Sequence, residues 1–485
     1  MGYIGIDIGS SYIKAAYLDV EKFEISEIEK HKSPGFVRQD RDDDNNYTKE
    51  VDADAVLAIV KNIIDGYVVR HNNADSGNGS NTGIEGVLFS TQMHGFILVD
   101  GDRGTCVTNY ITWQDERSLM KPEGSNETYL KKLEKLVDNE DIRKSGTRLK
   151  PSLAICNLYH WKSNNGTCGM PLQFCTLGDY IIMRLTGEKP TCHITNAAST
   201  GMVDLIKGSW NMDMINKLGF GGISFPKIIK EDVAGGIYKT AGKEIPLYPA
   251  VGDHQAAVYG TFLRPEKDLA INMGTGSQLC LVSRELTLGD YETRPFFEGM
   301  YLRAITHIPG GRALDVLVNF IKDIGEKIFG LAAEEKDIWN RLDRYLAENS
   351  KNRSDEDSED FLKMDFDDNE ELEVGISFFK TSVLPYGGFI KNINSRNLTA
   401  EGLFQAAMKG MAENYHMLHK RVLADGDVLE RIICAGGLAR KNPAILKLIA
   451  GKFGLPVSYA PYQEDTLIGL LRLAEACSKN TSANN

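Results

Sequence analysis

The sequence predicts an α/β protein of two domains. Three observations carry this. A strand–turn–strand unit occurs twice, strand-length apolar runs alternate with helical periodicity in both halves, and 485 residues exceed what one hydrophobic core ordinarily holds. The first copy of the unit is Ile4-Gly5-Ile6-Asp7-Ile8-Gly9-Ser10-Ser11 and the second is Leu269-Ala270-Ile271-Asn272-Met273-Gly274-Thr275-Gly276-Ser277. Each is an apolar, β-branched run, a small-residue turn and a second apolar run, Tyr12 to Leu18 or Gln278 to Val282. The spacing of the copies places the domains at 1–260 and 261–485.

In the first half, strands are expected at 3–8, 12–19, 84–90 and 94–99. Asp52 to Val69 reads as a helix, because Val56, Ile59, Val60, Ile63 and Ile64 recur at helical spacing. His71 to Gly83, rich in Asn, Gly and Ser, reads as an exposed loop. Leu172 to Leu185 reads as a helix ended by Thr186-Gly187. In the second half, strands are expected near 269–274 and 278–283. A helix over Glu401 to Leu423 carries Phe404, Met408, Met411, Tyr415, Leu418 and Val422 along one face. A strand from Arg431 to Ala435 then enters Gly436-Gly437, and Pro443 to Phe453 is helical. The acidic stretch 350–373 reads as a solvated insertion, and the polar tail from Ser478 as disordered.

Composition is that of a soluble globular protein, with 42% hydrophobic and 25% charged residues. The net charge of −12 argues against a nucleic-acid partner. No apolar run approaches the ~18 residues a bilayer span needs, and Met1 leads straight into a strand without a signal-peptide pattern, so no membrane role is expected. The eight cysteines include no C-x-x-C pair, and Cys168 and Cys175 lack the histidines of a zinc site. Reduced thiols in a cytoplasmic protein are expected.

The repeated turns point to phosphate. Glycine lets an anion approach backbone N–H groups, and Ser10, Ser11, Thr275 and Ser277 add hydroxyl donors. Two such turns, Gly9-Ser10-Ser11 and Gly274-Thr275-Gly276-Ser277, can hold one polyphosphate from both sides. Asp7, just before the first turn, suits a magnesium ion beside those phosphates. The aligned residue of the second copy is the uncharged Asn272. Lys14 faces either a phosphate or solvent. Ala435-Gly436-Gly437, joining a strand to a helix, lets a flat ligand such as a purine lie against backbone. Gly310-Gly311 is a weaker signal of the same kind.

Three polar clusters suit a polyol acceptor: Gln92-Met93-His94-Gly95, Thr112-Trp113-Gln114-Asp115-Glu116-Arg117 and Gly252-Asp253-His254-Gln255. An aromatic face covers C–H groups while polar side chains bond hydroxyls in fixed directions. Phosphoryl transfer to a hydroxyl needs a carboxylate to take its proton, and Asp253 is the candidate. Its other reading is the N-cap of an apolar helix. Asp115 either orients a sugar or pairs with Arg117. His94 alone reads equally as a satisfied core histidine.

Together these residues resemble the FGGY carbohydrate kinases, members of the actin/Hsp70/sugar-kinase superfamily. Asp7-Ile8-Gly9-Ser10-Ser11 is similar to the family's first phosphate motif, Gly274-Thr275-Gly276-Ser277 to its second, and Ala435-Gly436-Gly437 with Asn442 to its adenosine motif. Gln92-Met93-His94-Gly95 resembles the acceptor segment of xylulokinases and sedoheptulokinases, and Gly252-Asp253 the catalytic aspartate segment. Trp113-Gln114-Asp115 and Asn196-Ala197-Ala198-Ser199 look most like sedoheptulokinases. Met93-His94 stands where glycerol kinases usually have Arg-Glu. Glu116 departs from the usual glycine before Arg117, and Ala435 from the first glycine of the adenosine motif.

The resemblance implies two ribonuclease-H-like (actin-like ATPase) domains closing on a cleft that holds MgATP and sugar, and often a homodimer. It implies transfer of the ATP γ-phosphate to a terminal hydroxyl of a ketose, foremost sedoheptulose, with xylulose or another ketose or polyol as alternatives. Asp253 then takes the proton, Asp7 helps hold Mg2+, and Gln92, Met93, His94, Trp113, Asp115 and His254 shape the sugar pocket. A non-kinase ATPase of the same superfamily is the competing class.

Overall fold

The computed structural model describes residues 1–37, 46–73, 83–166, 169–351, 371–379, 383–384 and 386–484. They form two compact units, one of Met1–Phe262, Thr293–Tyr301 and Tyr462–Asn485, the other of Leu263–Glu292 and Leu302–Pro461.

The first unit is built on β1 (Gly2–Ile8), β2 (Tyr12–Asp19), β3 (Glu24–Lys32), α1 (Ala53–Asn73), β4 (Ile84–Thr91), α2 (Leu177–Thr186), β5 (Gly236–Thr240), β6 (Lys243–Leu247), β7 (Val251–Gly252) and α3 (Asp253–Tyr259). Its sheet runs β5-β6-β4-β1-β2-β3, with β7 also on β4. β1 is antiparallel to β2 and parallel to β4. Six of its seven residues are buried, as a central strand with covered faces requires. One cover is α1, whose Val56, Val60, Ile63, Ile64 and Tyr67 are buried.

The second unit holds β8 (Asp268–Met273), β9 (Gly276–Ser283), β10 (Tyr301–Pro309), α4 (Gly311–Phe329), α5 (Ala400–His419), β11 (Arg431–Ala435), α6 (Gly437–Lys441), α7 (Pro443–Phe453) and β12 (Val457–Tyr459). Its sheet runs β10-β9-β8-β11-β12, with β8 antiparallel to β9 and parallel to β11, and β11 parallel to β12. Reading β3-β2-β1-β4-β6 beside β10-β9-β8-β11-β12 gives the same order around the repeated turn, and in each the two strands of the turn are antiparallel and the next strand is parallel to the first. That is the ribonuclease-H-like plan, present twice. The predicted stripe Phe404, Met408, Met411, Tyr415, Leu418 and Val422 is buried throughout, though α5 ends at His419 and Val422 follows it in a turn.

Several sequence expectations need correction. Leu172–Cys175 is a strand, antiparallel to Ile97–Asp100, and α2 begins only at Leu177. The break lies at Thr176, whose N–H donates to Asp179 Oδ2 at 2.9 Å and so starts the helix there. α1 continues through His71 to Asn73, while the rest of the expected loop, 74–82, lies outside the described residues. So does most of the acidic stretch, 352–370. The strand expected from 94 begins at Ile97, because His94 takes a left-handed φ of 69°. The tail is helical: α8 (Asp465–Asn484) belongs to the first unit and runs so close to α3 that a Cβ on Gly469 would lie 1.9 Å from the Ala256 carbonyl oxygen. Its apolar residues Leu467, Ile468, Leu470, Leu471 and Ala474 are buried, and that packing offsets the weak propensity of the polar end.

Candidate active site

Within the first unit, parallel strands deliver three of the predicted residues to one sheet edge. Asp7 of β1 lies in register with Ser90 of β4, and Ser90 with Val251 of β7. The carboxyl ends of these strands therefore carry Asp7, Gln92 and Asp253 side by side, where open α/β sheets bind ligands. Ser90 Oγ donates to Asp7 Oδ1 at 2.8 Å. The Gln92 N–H donates to the Ile8 carbonyl at 3.2 Å and pins the acceptor segment to the end of β1.

Asp7 and Asp253 are half-buried acids. Burial and the neighbouring Asp253 carboxylate push Asp7 from 3.8 up to about 7, against the pull of Ser90 and Lys14. Burial pushes Asp253 up to about 6, against the backbone N–H of His254 and the Arg294 guanidinium. His254 N–H donates to Asp253 Oδ1 at 2.7 Å. Asp253 is the first residue of α3, and Gly252, not Asp253, occupies the N-cap. The capping reading of Asp253 therefore falls away.

Two acids held above the ordinary carboxylate range are what a bound cation offsets. Among the described residues no group of three or more His, Cys, Asp and Glu forms a metal cage. The donor set therefore fits an ion that takes one or two carboxylates and completes its shell with water and phosphate oxygens, as Mg2+ does.

Around Asp253 the buried polar atoms Gln92 Oε1, Tyr110 Oη and Gln255 Oε1 have no hydrogen-bond partner in the protein. Such atoms are costly unless a ligand or water meets them. Met93 and Gln255 pack closely over Gly252: a Cβ there would lie 2.5 Å from Met93 Sδ and 2.6 Å from Gln255 Oε1, so both side chains would have to shift. His94 donates its backbone N–H to Ser199 Oγ at 3.2 Å, and its Nδ1 meets the Ser199 carbonyl at 2.7 Å. A carbonyl only accepts, so Nδ1 carries the proton and, in the neutral ring, Nε2 is the acceptor. His254 is buried, and its Nδ1 accepts from Arg294 Nη1 at 3.0 Å. A cavity of about 200 Å3 lies between the Gly9-Ser10-Ser11 turn, Ser33–Phe36 and Thr112–Gln114, with Gln92 on its wall. Trp113 is 39% exposed.

Two predicted residues are engaged elsewhere. Asp115 has no exposed surface. Its Oδ1 accepts from Arg117 Nε at 2.8 Å, and its Oδ2 accepts from Arg117 Nη2 and from the Lys49 N–H, both at 2.7 Å. Of its two readings, the ion pair is the one formed in the unliganded protein, where Asp115 frames the Trp113 segment. Lys14 bonds Glu464 at 2.6 Å.

In the second unit, the predicted glycine elements converge on one place. The Gly311 N–H donates to the Gly274 carbonyl, and Arg312 N–H to the Thr275 carbonyl, both at 2.9 Å. Thr275 and Gly276 are exposed at the turn, whereas Ser277 is buried with its Oγ 2.8 Å from Tyr415 Oη. Gly310 precedes α4 and abuts Gly276. Gly436 has a φ of 91°, and a Cβ there would lie 2.4 Å from the Met273 carbonyl oxygen. Gly436→Ala should therefore destabilise the protein by at least about 1 kcal/mol, read as a lower melting temperature. Gly437 opens α6, and Asn442 is buried after it with Oδ1 lacking a protein partner.

Sequence reasoning missed Ser90, Tyr110, Ser33, Phe36 and Arg294. Ser90 was within reach, because it falls at Asp7's register in the paired strand. Arg294 had no local signal, since the strand carrying it, Glu292–Pro295, lies forty residues along the chain from His254.

The sequence model of the N-terminal domain of the FGGY family of carbohydrate kinases matches residues 2–260, and that of the C-terminal domain matches residues 386–476. The sedoheptulokinase of Mus musculus is 23% identical over 410 residues, 78% of each chain. A xylulose kinase of Staphylococcus xylosus is 25% identical over 285 residues, 56% of this chain and 53% of that one. The ligand-bound xylulose kinase structure from Lactobacillus acidophilus shares the fold with a TM-score of 0.76 at 17% identity, over 99% of this chain and 90% of that one.

Proposed function

The chain belongs to the FGGY family of carbohydrate kinases, ATP-dependent phosphotransferases that act on hydroxyl groups, and from that premise we propose that it phosphorylates a terminal hydroxyl of a ketose, with sedoheptulose as preferred acceptor. The observation that carries the chemistry is Asp253: a carboxylate held near pH 6 among buried polar atoms that lack protein partners. A base tuned toward the working pH takes a hydroxyl proton more effectively than an ordinary carboxylate.

In this reading the acceptor hydroxyl donates its proton to Asp253 as its oxygen attacks the γ-phosphorus and the bond to the ADP oxygen breaks. Met93, His94, Gln92 and Trp113 line the sugar, with His94 Nε2 accepting from a hydroxyl, while Asp115 and His254 hold neighbouring segments in place. The Gly9 and Gly274 N–H groups close the two turns onto the Tyr12 and Gly276 carbonyls, and the exposed hydroxyls of Ser10, Ser11 and Thr275 stabilise charge on the phosphates. Gly310 and Gly311 brace the second turn, Ser277 anchors it, and Gly436, Gly437 and Asn442 receive the adenosine. Asp7 would hold Mg2+ with water between them. The ion supplies charge neutralisation on the phosphate oxygens when bound. Lys14 reaches phosphate only by leaving Glu464.

Sedoheptulose is favoured by the Trp113-Gln114-Asp115 and Asn196–Ser199 motifs and by the relative matched over most of the chain. Xylulose is the second reading, favoured by the Staphylococcus relative. Mass spectrometry of products formed from ATP and a panel of ketoses and polyols separates them. Sedoheptulose phosphate is expected to form fastest, and equal or better turnover of glycerol would refute the ketose assignment.

A pH dependence follows. Below its pKa Asp253 is protonated and cannot accept the proton. The kcat/KM for the acceptor, which reports the free enzyme, should therefore fall about tenfold per pH unit below an apparent pKa near 6 and level off above it. A pH profile of kcat/KM without an acidic limb would contradict the role of Asp253.

A further inference from the structure

A buried chain of hydrogen bonds ends on the residue before Asp253. Glu231 Oε2 lies 3.3 Å from His193 Nε2, His193 Nδ1 lies 2.7 Å from Thr195 Oγ1, and Thr195 Oγ1 accepts from the Gly252 N–H at 2.9 Å. His193 and Thr195 are essentially without exposed surface. The proton positions follow from the partners. The Thr195 backbone N–H also donates to His193 Nδ1, at 3.3 Å, so Nδ1 is an acceptor and Nε2 carries the proton toward Glu231. The Thr195 hydroxyl then gives its hydrogen to Nδ1 and keeps its lone pairs for Gly252. Every donor points the same way, from Gly252 to Glu231.

The same short segment holds the other acceptor residues. Asn196 Nδ2 donates to Thr91 Oγ1 at 3.1 Å and to the Ala250 carbonyl at 2.8 Å, and Ser199 holds His94 as described. Phe297 stacks on His193 with centroids 5.9 Å apart. Burial pushes Glu231 up, but the hydrogen bond from His193 and those from backbone N–H groups outweigh it and keep the carboxyl ionised, at about 2.

We propose that Thr195, backed by His193 and Glu231, is a positioning residue for phosphoryl transfer: it fixes the Gly252 backbone and thereby aims the Asp253 carboxylate at the acceptor hydroxyl. None of the three touches substrate. This rests on Asp253 being the base of the proposed kinase reaction. Gly252 has no side chain with which to be held, so the turn depends on its backbone N–H for registration.

The test compares Thr195→Val, which keeps shape and loses the hydroxyl, with Thr195→Ser, which keeps the hydroxyl. Two readouts are taken: steady-state kinetics, and hydrogen exchange of peptides spanning Ala250–Gln255. Thr195→Val should lower kcat roughly 10- to 100-fold with the KM for ATP unchanged and speed exchange at Gly252. Thr195→Ser should restore both. Wild-type kinetics and exchange in Thr195→Val would overturn the proposal. So would a loss of turnover that merely tracks the unfolded fraction and that serine does not rescue. If the wild type phosphorylates no ketose yet Thr195→Val still speeds exchange at Gly252, the clamp stands and the kinase reading fails.

Discussion

Asp253→Asn should remain folded, bind ATP as the wild type does, and lose roughly 10²- to 10⁴-fold in sugar-dependent kcat. Asparagine matches aspartate in shape and still accepts from the His254 N–H, the 2.7 Å bond that orients the side chain. It cannot take a proton from a hydroxyl. The fold should not suffer, and the sign can be worked out. Burial raises Asp253 to about 6, above its unfolded value, so the folded state favours the protonated carboxyl. The stability this contributes is full at acidic pH and is lost as pH rises through about 6. At pH 8 the wild type carries an ionised, unfavourably buried carboxylate that asparagine removes. The unliganded variant is therefore expected to melt no lower than the wild type at pH 8. Near-normal phosphorylation by the variant would remove Asp253 as the base, and a large drop in melting temperature would show a structural role instead.

Arg117→Ala carries the largest expected effect on stability. The guanidinium binds Asp115 through two parallel hydrogen bonds and also donates to Glu50 Oε1 at 2.5 Å. Asp115 is fully buried and Arg117 nearly so. Removing the cation strands a buried carboxylate beside a second one, a change that costs about 3–5 kcal/mol. Urea unfolding should show the midpoint falling accordingly. Arg117→Lys should recover only part of the loss, because an ammonium cannot reproduce the planar fork. The Trp113 segment is tied to this pair, so surviving protein should also bind sugar less well. A cost below about 1 kcal/mol would mean the pair behaves like an exposed one.

The parts of this molecule written as local patterns were legible in the sequence. The two turns, the stripe from Phe404 to Val422 and the Asp253 segment each depend on neighbours within a few residues, and spacing records them. What was not legible depends on partners far apart. Lys14 and Glu464 are 450 positions apart, and no local pattern says that they pair. Leu172–Cys175 has an apolar content that suits either a helix or a strand, and its pairing with Ile97–Asp100 decided the matter. His193 reads as an unremarkable core residue until Glu231, Thr195 and Gly252 are brought to it. Asp115 was ambiguous for a physical reason: the same carboxylate serves a sugar or an arginine, and burial selects the arginine.

The most direct test of the central claim is ADP release by the wild type and Asp253→Asn, each with MgATP alone and with sedoheptulose added. The account predicts strong stimulation of the wild type by the sugar and a flat, near-background rate for the variant. A wild-type rate indifferent to sedoheptulose and to every other ketose, or stimulation that survives in Asp253→Asn, would contradict it.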